Sequence, residues 1–435
     1  MTFSKNFVNF HILMSHSPSC LNRDDMNMQK TALFGGMNRV RISSQSLKRA
    51  IRKCAYYKAH FGEPSTRTRQ LEALIPRFIE ELRDEFDPDL IANTMELFVR
   101  AKIAEDDPED SGDQEESSSG NEKKKLAVAP WALEEIRVLC NLVKDIELNA
   151  EEISKAKEKV AKQKGKKKKP EQEMIDEALT TKRIKAVQRN IDLIRQALSS
   201  ALDIALSGRM ATSGLMTSID GALSVAHVLT THAVEPQDVD WFTAVDDLIQ
   251  DAGEVGAGHL DTQQFSAGVF YRYASLNLKQ LQVNLGLLAD MDSTETPESR
   301  QRTLDIARHV FHLFATVMPD AKQHSFAAFN PADFALVSLS DVPISLINAF
   351  EKPIQRASNG GFLAPSMRAL AAYWEQINSA YGLNEQAVAF RFDESPWSSE
   401  TKEGKNKEYR HWPDGLKLYA KLAEVEAWIA GDGQN

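Results

Sequence analysis

The order of strand-like and helix-like segments most restricts the folds open to this chain of 435 residues. Residues 8–14 form an apolar run that predicts a buried strand, and 43–60 carries apolar residues at helical spacing. The polar, glycine-containing stretch between these two segments predicts a loop. Helical periodicity dominates from 61 to 200. Extended patterns return after Gly208, including an alternating strand pattern at 269–281. One helical pattern interrupts them at 300–318, and a final helical pattern covers 416–430. Long helices are therefore inserted into a chain that otherwise alternates strands and helices.

Two insertions interrupt a simpler order of elements. They are the helical stretch 61–200 and a glycine-rich segment at 248–267, which follows extended patterns at 221–234 and 240–248. Without them the order is strand, helix, strand, strand, helix, strand. Ferredoxin-like domains have this order, including RNA-recognition motif (RRM) domains, whose sheet face commonly meets RNA. The predicted fold class is α+β.

Two low-complexity runs lie within the helical stretch. Residues 105–120 are acidic and serine-rich, which predicts a disordered loop near 105–125. Residues 159–170 are rich in lysine and predict a second exposed loop. Between them, 131–146 predicts an amphipathic helix opened by Pro130.

The formal net charge of −10 conceals a basic block. Nine lysines and arginines lie from Arg23 to Lys58, and only Asp24 and Asp25 oppose them. Because charges act on phosphates within a Debye length of about 8 Å, this local excess is compatible with nucleic-acid binding.

Cysteine content and hydropathy indicate the compartment. Cys20, Cys54 and Cys140 are far apart and have no metal-ligand or disulfide spacing, which fits a reducing cytoplasm. No apolar run is long enough to cross a bilayer, and the N-terminal segment is interpreted as a strand, not a signal peptide.

Several long motifs resemble one family. SHSPSCLNRDDMNMQK, FGG and RVRISSQSLKRAIRK are similar to the signature of CasC, the backbone subunit of the type I-E CRISPR complex called Cascade. ALSGRMATSG, DWFTAVDDL, FSAGVFYRYASLNL and SFAAFNPAD resemble the same family. The resemblance covers nearly the whole chain and is weakest between 103 and 182.

The resemblance implies a hand-shaped, non-catalytic subunit without a cofactor. Its palm is a modified RRM formed by 1–60, 201–247 and 268–435, its fingers are 61–200, and its thumb is a loop or hairpin at 248–267. Several copies, six by resemblance, stack along one CRISPR RNA beside other Cascade subunits. Each thumb kinks the guide, and the segments between kinks pair with target DNA.

The predicted RNA-binding residues lie in and beside the basic block. A subunit that accepts any guide must grip the backbone, because base pairing carries the sequence. A helix start at Ser43 or Ser44 offers amides and a dipole that favour an anion. The alternative is an ordinary solvated basic helix. Composition alone favours the RNA-binding helix and the solvated helix equally. The predicted set is Asn22, Arg23, Lys30, Ser43, Ser44, Gln45, Lys48, Arg49 and Arg52.

Two further residues are assigned to the kink by resemblance. Leu223 on the palm and Thr262 on the thumb would act as wedges, because a wedge separates bases without reading them. Internal packing is the alternative, and it competes strongly for Leu223.

A second basic face is predicted in the fingers, in the helical pattern 180–200. Lys182, Lys185 and Arg189 are spaced by three and four residues, so they share one face. The family resemblance implies contact with target DNA at this helix, and a solvated face is the alternative. The predicted apolar stripe comprises Ile184, Val187, Ile191 and Ile194.

Catalysis has one candidate, the carboxylate pair Asp24 and Asp25. Related backbone subunits in other CRISPR types use a loop aspartate to cut RNA with a metal, so the alternative function is a metal-dependent ribonuclease. The competing interpretation is that these carboxylates orient Arg23 or cap the loop. The histidine pairs do not complete a ligand set, and we predict no catalytic residue and no metal.

Overall fold

The computed structural model describes residues 5–68, 71–100, 129–162, 170–190, 193–194, 197, 201–210, 218–242, 260–358, 360–391, 413 and 415–434. The predicted loop near 105–125 and most of the predicted thumb lie outside these ranges. The chain divides into two compact units. The first comprises Met1–Gly62, Leu223–Lys279 and Asp292–Asn435, and the second comprises Glu63–Ala222 and Gln280–Met291.

The strands are named in chain order. They are β1 Phe7–Ser19, β2 Thr31–Phe34, β3 Met37–Ile42, β4 Thr66–Thr68, β5 Ala129–Trp131, β6 Leu223–Val225, β7 Val228–Thr230, β8 Gln237–Phe242, β9 Leu260–Asn277, β10 Phe334–Ser340, β11 Gln386–Arg391 and β12 Lys417–Tyr419.

The α-helices are named in the same way. They are α1 Ser44–Lys53, α2 Ala55–Phe61, α3 Leu71–Leu82, α4 Pro88–Arg100, α5 Leu133–Val143, α6 Ala150–Lys162, α7 Glu171–Arg189, α8 Leu202–Ser207, α9 Leu278–Asn284, α10 Pro297–Thr316, α11 Gln323–Phe326, α12 Leu363–Tyr381 and α13 Leu422–Ala430. A 3₁₀ helix spans Ile347–Phe350.

The first unit is built on one mixed sheet in the order β12-β11-β10-β1-β9-β7-β3-β2, and β6 and β8 also pair with β9. At its centre β1 lies antiparallel between β10 and β9, with His11 opposite Leu336 and Tyr273. With β6 and β7 on the other side of β9, these strands have the ferredoxin-like order. The predicted α+β fold class is confirmed.

Helices and loops cover both faces of this sheet at β1. On one face Phe10 stacks on Phe311 and Phe314 of α10, with ring centroids 6.0 and 6.4 Å apart. On the other, Leu13 lies in a core that includes Met367 and Trp374 of α12. The sheet face that an RRM leaves open is therefore buried in this chain at β1.

Residues 31–42 were predicted as part of a loop but form the hairpin β2–β3. Gly35 and Gly36 form its two-residue turn with φ of 59° and 72°, the left-handed pair that suits a type I′ turn. A Cβ atom on Gly35 would lie 1.8 Å from the carbonyl oxygen of Glu351, so this position also requires glycine for close approach.

The predicted helix 43–60 is two helices. Cys54 has ψ of 153°, which ends α1, and its Sγ accepts the amide of Tyr57 to begin α2. Leu47, Ala50 and Ile51 are buried, as their spacing predicted. At the other end of the chain, a helix was predicted at 416–430, but the strand β12 precedes it and α13 begins at Leu422.

The second unit has its own helical core. Phe78 of α3, Met95 of α4, Leu139 of α5 and Val187 of α7 are packed together. The predicted start of a helix at Pro130 and Trp131 is wrong, because these residues lie in β5, which pairs with β4. Helix α6 continues to Lys162, past the predicted loop start at 159, and 163–169 lie outside the described residues.

Within the described ranges, no helix is both long and apolar enough to span a membrane.

Candidate nucleic-acid interface

The loop after β1 is folded onto the start of α1. The backbone carbonyl of Asn22 accepts the amide of Lys30 at 3.0 Å, and its Oδ1 accepts the amide of Ser43 at 2.8 Å. The Lys30 carbonyl in turn accepts the amide of Arg41 at 2.8 Å. These bonds bring Arg23 and Lys30 to the helix whose first residues were predicted to bind an anion.

The side chain of Asp24 stabilises the turn within this loop. Its Oδ1 accepts the amides of Met26 and Met28, both at 2.9 Å, as expected of an Asx-type turn. Asn27 closes the turn with φ of 64° and accepts a hydrogen bond from the exposed Arg23 guanidinium at 2.8 Å. This geometry favours the loop-capping role of Asp24 over a metal-ligand role.

The described residues contain no group of three or more histidine, cysteine, aspartate or glutamate side chains placed to hold a metal ion. Asp25 is exposed beside Asp24.

More of the backbone amides at the start of α1 donate to acceptors within the protein than the sequence predicted. The Ser43 hydroxyl accepts the amide of Ser46 at 3.3 Å, which confirms Ser43 as the N-cap residue. The amide of Ser44 donates to Nδ1 of His227 at 3.1 Å. Burial and the charge of Arg41 lower the pKa of His227, so this imidazole is neutral at pH 7 and can accept. Fewer amides remain for an anion than expected.

A polar stripe lies along α1, beside its buried side. Gln45, Lys48, Arg49 and Arg52 follow the spacing i, i+3, i+4, i+7, which places them on one face. Gln45 and Arg49 are exposed, and Lys48 and Arg52 are half-buried. We call this set the α1 basic stripe. The arginines and lysine can donate to phosphate oxygens without reading a base.

Arg39 belongs to the basic block in sequence but not in space. Its side chain is 0% exposed, and it donates to the carbonyls of Thr230 at 3.0 Å and Phe350 at 2.9 Å. Burial lowers its pKa, and its guanidinium carbon lies 5.6 Å from the centroid of the Phe34 ring. Arg39 therefore links β3 to two other segments of the first unit and offers no charge to a ligand.

Two glutamines connect the loop to the hairpin β8–β9. The amide of Gln29 donates to Oε1 of Gln264 at 3.2 Å, and Gln264 donates to Asp238 at 2.8 Å. These positioning residues were missed, because no sequence pattern relates positions more than two hundred residues apart. Only the tertiary structure shows that β9 supports the basic loop.

The two predicted wedge residues lie in different environments. Thr262 is exposed on β9, opposite Asp240 of β8. Leu223 is only 8% exposed on β6, opposite Leu276 of β9. Burial of Leu223 agrees with internal packing, because a wedge needs apolar surface outside the subunit. Residues 243–259, between the hairpin strands, lie outside the described residues.

The second predicted basic face lies on α7. Lys185 and Arg189 are exposed, but Nζ of Lys182 donates to Glu152 of α6 at 2.7 Å and to the carbonyl of Glu147 at 2.9 Å. Lys182 and Glu152 thus form an ion pair that the pattern of α7 alone could not predict. Of the predicted apolar stripe, Ile184 is partly buried and Val187 and Ile194 are fully buried, as the periodicity predicted. The side chain of Ile191 lies outside the described residues.

Five histidines of the first unit are buried or make contacts within it. Burial lowers the pKa of His11 and of His16 to about 3. Nε2 of His232 accepts the amide of Val269 at 3.2 Å, and its ring stacks on Phe362. His309 bonds to Tyr56 and His312 to Glu426, at 2.7 and 2.8 Å.

The fold of this chain is similar to that of chains in solved CRISPR RNA-guided surveillance complexes. A solved structure described as "CRISPR RNA-guided surveillance complex, pre-nicking" contains a chain that is 25% identical, with a TM-score of 0.65 over 98% of this chain and 100% of that one. A chain of a second "CRISPR RNA-guided surveillance complex" is 18% identical, with a TM-score of 0.52 over 98% and 99%, and shares the fold.

The particular family follows from the sequence comparison. The chain belongs to the Cas_CT1975 family, the CT1975-like proteins, whose family model matches residues 8–411. No curated protein matched the chain.

Proposed function

We propose that this chain is a non-catalytic backbone subunit of a type I-E Cascade complex. Copies of it polymerise along CRISPR RNA with other Cascade subunits, grip the RNA backbone, kink it at intervals and present guide segments to target DNA. The similarity to chains of CRISPR RNA-guided surveillance complexes supports the assignment to such a complex. The assignment to type I-E rests on the sequence resemblance.

The bond between Asn22 and Ser43 carries the RNA-binding part of the proposal. It joins two basic segments that the sequence separates, the loop with Arg23 and the helix with the α1 basic stripe. The combined surface has cationic donors, and its predicted contacts are with phosphates. Such a surface binds any guide sequence, which is what a subunit in a complex guided by base pairing needs.

The α1 basic stripe provides the test. The double variant Lys48→Ala with Arg52→Ala should weaken RNA binding by a similar factor for two unrelated guides, measured by filter binding over a salt series. The slope of log affinity against log salt should decrease, because lost phosphate contacts release fewer counterions. Arg302→Ala with Lys352→Ala, two exposed cations elsewhere in the first unit, is the control. A loss confined to one guide would show base reading instead.

The ribonuclease alternative has a direct test at Asp24. The assembled complex is incubated with complementary RNA and Mg²⁺ or Mn²⁺, and we expect the RNA to stay intact. Cleavage that disappears in Asp24→Ala or Asp25→Ala would make the subunit an enzyme.

A further inference from the structure

A compact segment between α10 and β10 displays one phenylalanine ring to solvent. This segment, residues 319–333, is anchored at its end, where the amide of Asp333 donates to Leu13 at 3.0 Å and Oδ2 of Asp333 accepts the amide of Ser15 at 2.6 Å. Asn330 accepts from the amide and hydroxyl of Ser17, both at 3.3 Å. The segment is thereby held against the last residues of β1.

The interior of the segment is equally constrained. Gln323 is 7% exposed, and its Nε2 donates to the carbonyls of Pro319 and Ala328. Lys322 and Ala327, on either side of α11, have φ of 56° and 49°. Left-handed backbone is unfavourable for residues other than glycine, and it persists only where surrounding contacts enforce it. Such enforced strain occurs preferentially at binding sites.

This conformation holds Phe329 outward. Phe329 is 65% exposed, whereas Ala328 just before it and Ala332 three positions after it are 0% and 4% exposed. A single exposed apolar residue is ordinary on a protein surface. Phe329 differs because two left-handed residues and a buried glutamine hold the turn that presents it.

The surroundings of Phe329 connect it to the candidate interface. Phe326 packs on Phe265 of β9, with ring centroids 5.9 Å apart, and Phe265 follows Gln264, which holds the basic loop. The charges of Arg23 and Lys322 both act to lower the pKa of Cys20, although burial raises it overall. Both cations therefore act on the thiol of Cys20, the residue that follows β1.

We propose that Phe329 is a stacking platform for an unpaired base of the bound RNA, with Lys322 and Arg23 contacting the adjoining phosphates. Single-stranded RNA is commonly held by aromatic rings beside cationic groups, and stacking tolerates any base because every base has a π-face. Phe329 would then hold the guide without selecting its sequence. The proposal rests on the proposed function, since it assumes that this face binds RNA.

The test uses the full chain and single-stranded RNA of mixed sequence carrying scattered 2-aminopurine, whose fluorescence is quenched on stacking. Phe329→Ala should weaken affinity about tenfold or more and remove part of the quenching, as expected for one lost base stack. Phe329→Tyr should retain both. Phe329→Leu keeps apolar surface without a π-face, and should behave like Phe329→Ala.

Tyr381 supplies the matched control. It is an aromatic residue exposed to 74% at the end of α12. The neighbouring Leu383 accepts from Lys5 before the start of β1, whereas Asn330 bonds to Ser17 near the end of that strand. Tyr381→Ala should leave affinity and quenching unchanged, and thermal unfolding should show that every variant is folded.

Three results would overturn the proposal, and each has a distinct meaning. Equal RNA affinity and quenching for Phe329→Ala and the parent would reject the platform alone, provided that Lys48→Ala with Arg52→Ala still weakens binding. Reduced self-association with unchanged RNA affinity, measured by sedimentation, would make Phe329 a contact between copies. A parent chain that binds no RNA would reject the proposed function together with the platform.

Discussion

Oδ1 of Asn22 accepts the backbone amide of Ser43 at 2.8 Å, across twenty-one positions of sequence. The backbone carbonyl of the same asparagine holds Lys30 at 3.0 Å, so one residue joins both ends of the basic loop to the N-cap of α1. The placement of Arg23 beside the α1 basic stripe depends on this residue. Its side chain can be removed without removing any positive charge.

The Asn22→Ala variant should therefore change the position of the basic loop without changing its charge. The amide of Ser43 loses its acceptor, which should cost about 1–2 kcal/mol in the free energy of unfolding, measured by urea titration. RNA affinity should fall although every cation is present. Asn38→Ala, at an exposed asparagine of β3, should change neither quantity. Unaltered RNA affinity in a destabilised Asn22→Ala variant would show that the loop does not need this anchor.

Lys185 and Arg189 test the proposed contact with target DNA. Lys185→Glu with Arg189→Glu should leave guide-RNA assembly intact and weaken binding of a target duplex steeply in gel-shift titrations, because the change would repeat in every copy of the proposed filament. Lys182 is left unchanged, because its replacement would also break the ion pair with Glu152. Arg302→Glu with Lys352→Glu makes the same change in charge on the first unit. Equal duplex affinity for both double variants would show that this face of α7 is a solvated surface that does not bind DNA.

A buried ion pair lies within the second unit. Arg209 donates to both carboxylate oxygens of Glu135 at 2.8 and 2.9 Å, and both side chains are fully buried. Glu135→Leu should destabilise the unit by about 3–5 kcal/mol, because it leaves a buried cation without its partner. Adding Arg209→Met should recover much of that loss, since two apolar residues can replace a buried pair. Urea unfolding of the two single variants and the double variant gives the coupling energy, and additive losses would contradict this account.

His11 predicts how stability depends on pH. It is 1% exposed, burial lowers its pKa to about 3, and its Nδ1 lies 2.8 Å from the hydroxyl of Tyr271. That hydroxyl also accepts the amide of Leu346 at 3.1 Å. His11 is neutral at pH 7, because burial disfavours its charged form. Between pH 6.5 and about 3 the unfolded chain binds one more proton at this histidine than the folded chain does. The free energy of unfolding therefore decreases as pH falls through this window, by about 1.4 kcal/mol per unit at most for each such group.

His11→Gln should flatten this dependence. The variant should be less stable at pH 7.5, because packing around the ring is lost, but its stability should fall less between pH 6.5 and 4. His324→Gln, at an exposed histidine, should reproduce the parent slope in the same urea titrations. A parent slope in the His11→Gln variant would show that His11 does not carry the acid sensitivity.

Local patterns predicted much of the fold, because their causes lie within a few residues. The apolar run at 8–14 and the alternation after Val269 specified β1 and β9, and Ser43 specified the start of α1. The same rules failed at Pro130, where pairing with Arg67 of β4 was stronger than the helix-start preference. They also failed at Gly35 and Gly36, a hairpin turn that was interpreted as part of a loop.

The sequence by itself determined the α+β class, the basic block and the buried stripes, because spacing along the chain sets which side chains share a face. Only the tertiary structure decided which charges remain available. The guanidinium of Arg39 donates its hydrogen bonds to carbonyls of distant segments, and Lys182 is paired with Glu152 of α6. It also decided that α12 covers the sheet face that an RRM leaves open. A charge pattern cannot show these outcomes, because the partner that buries or neutralises a group comes from any part of the chain.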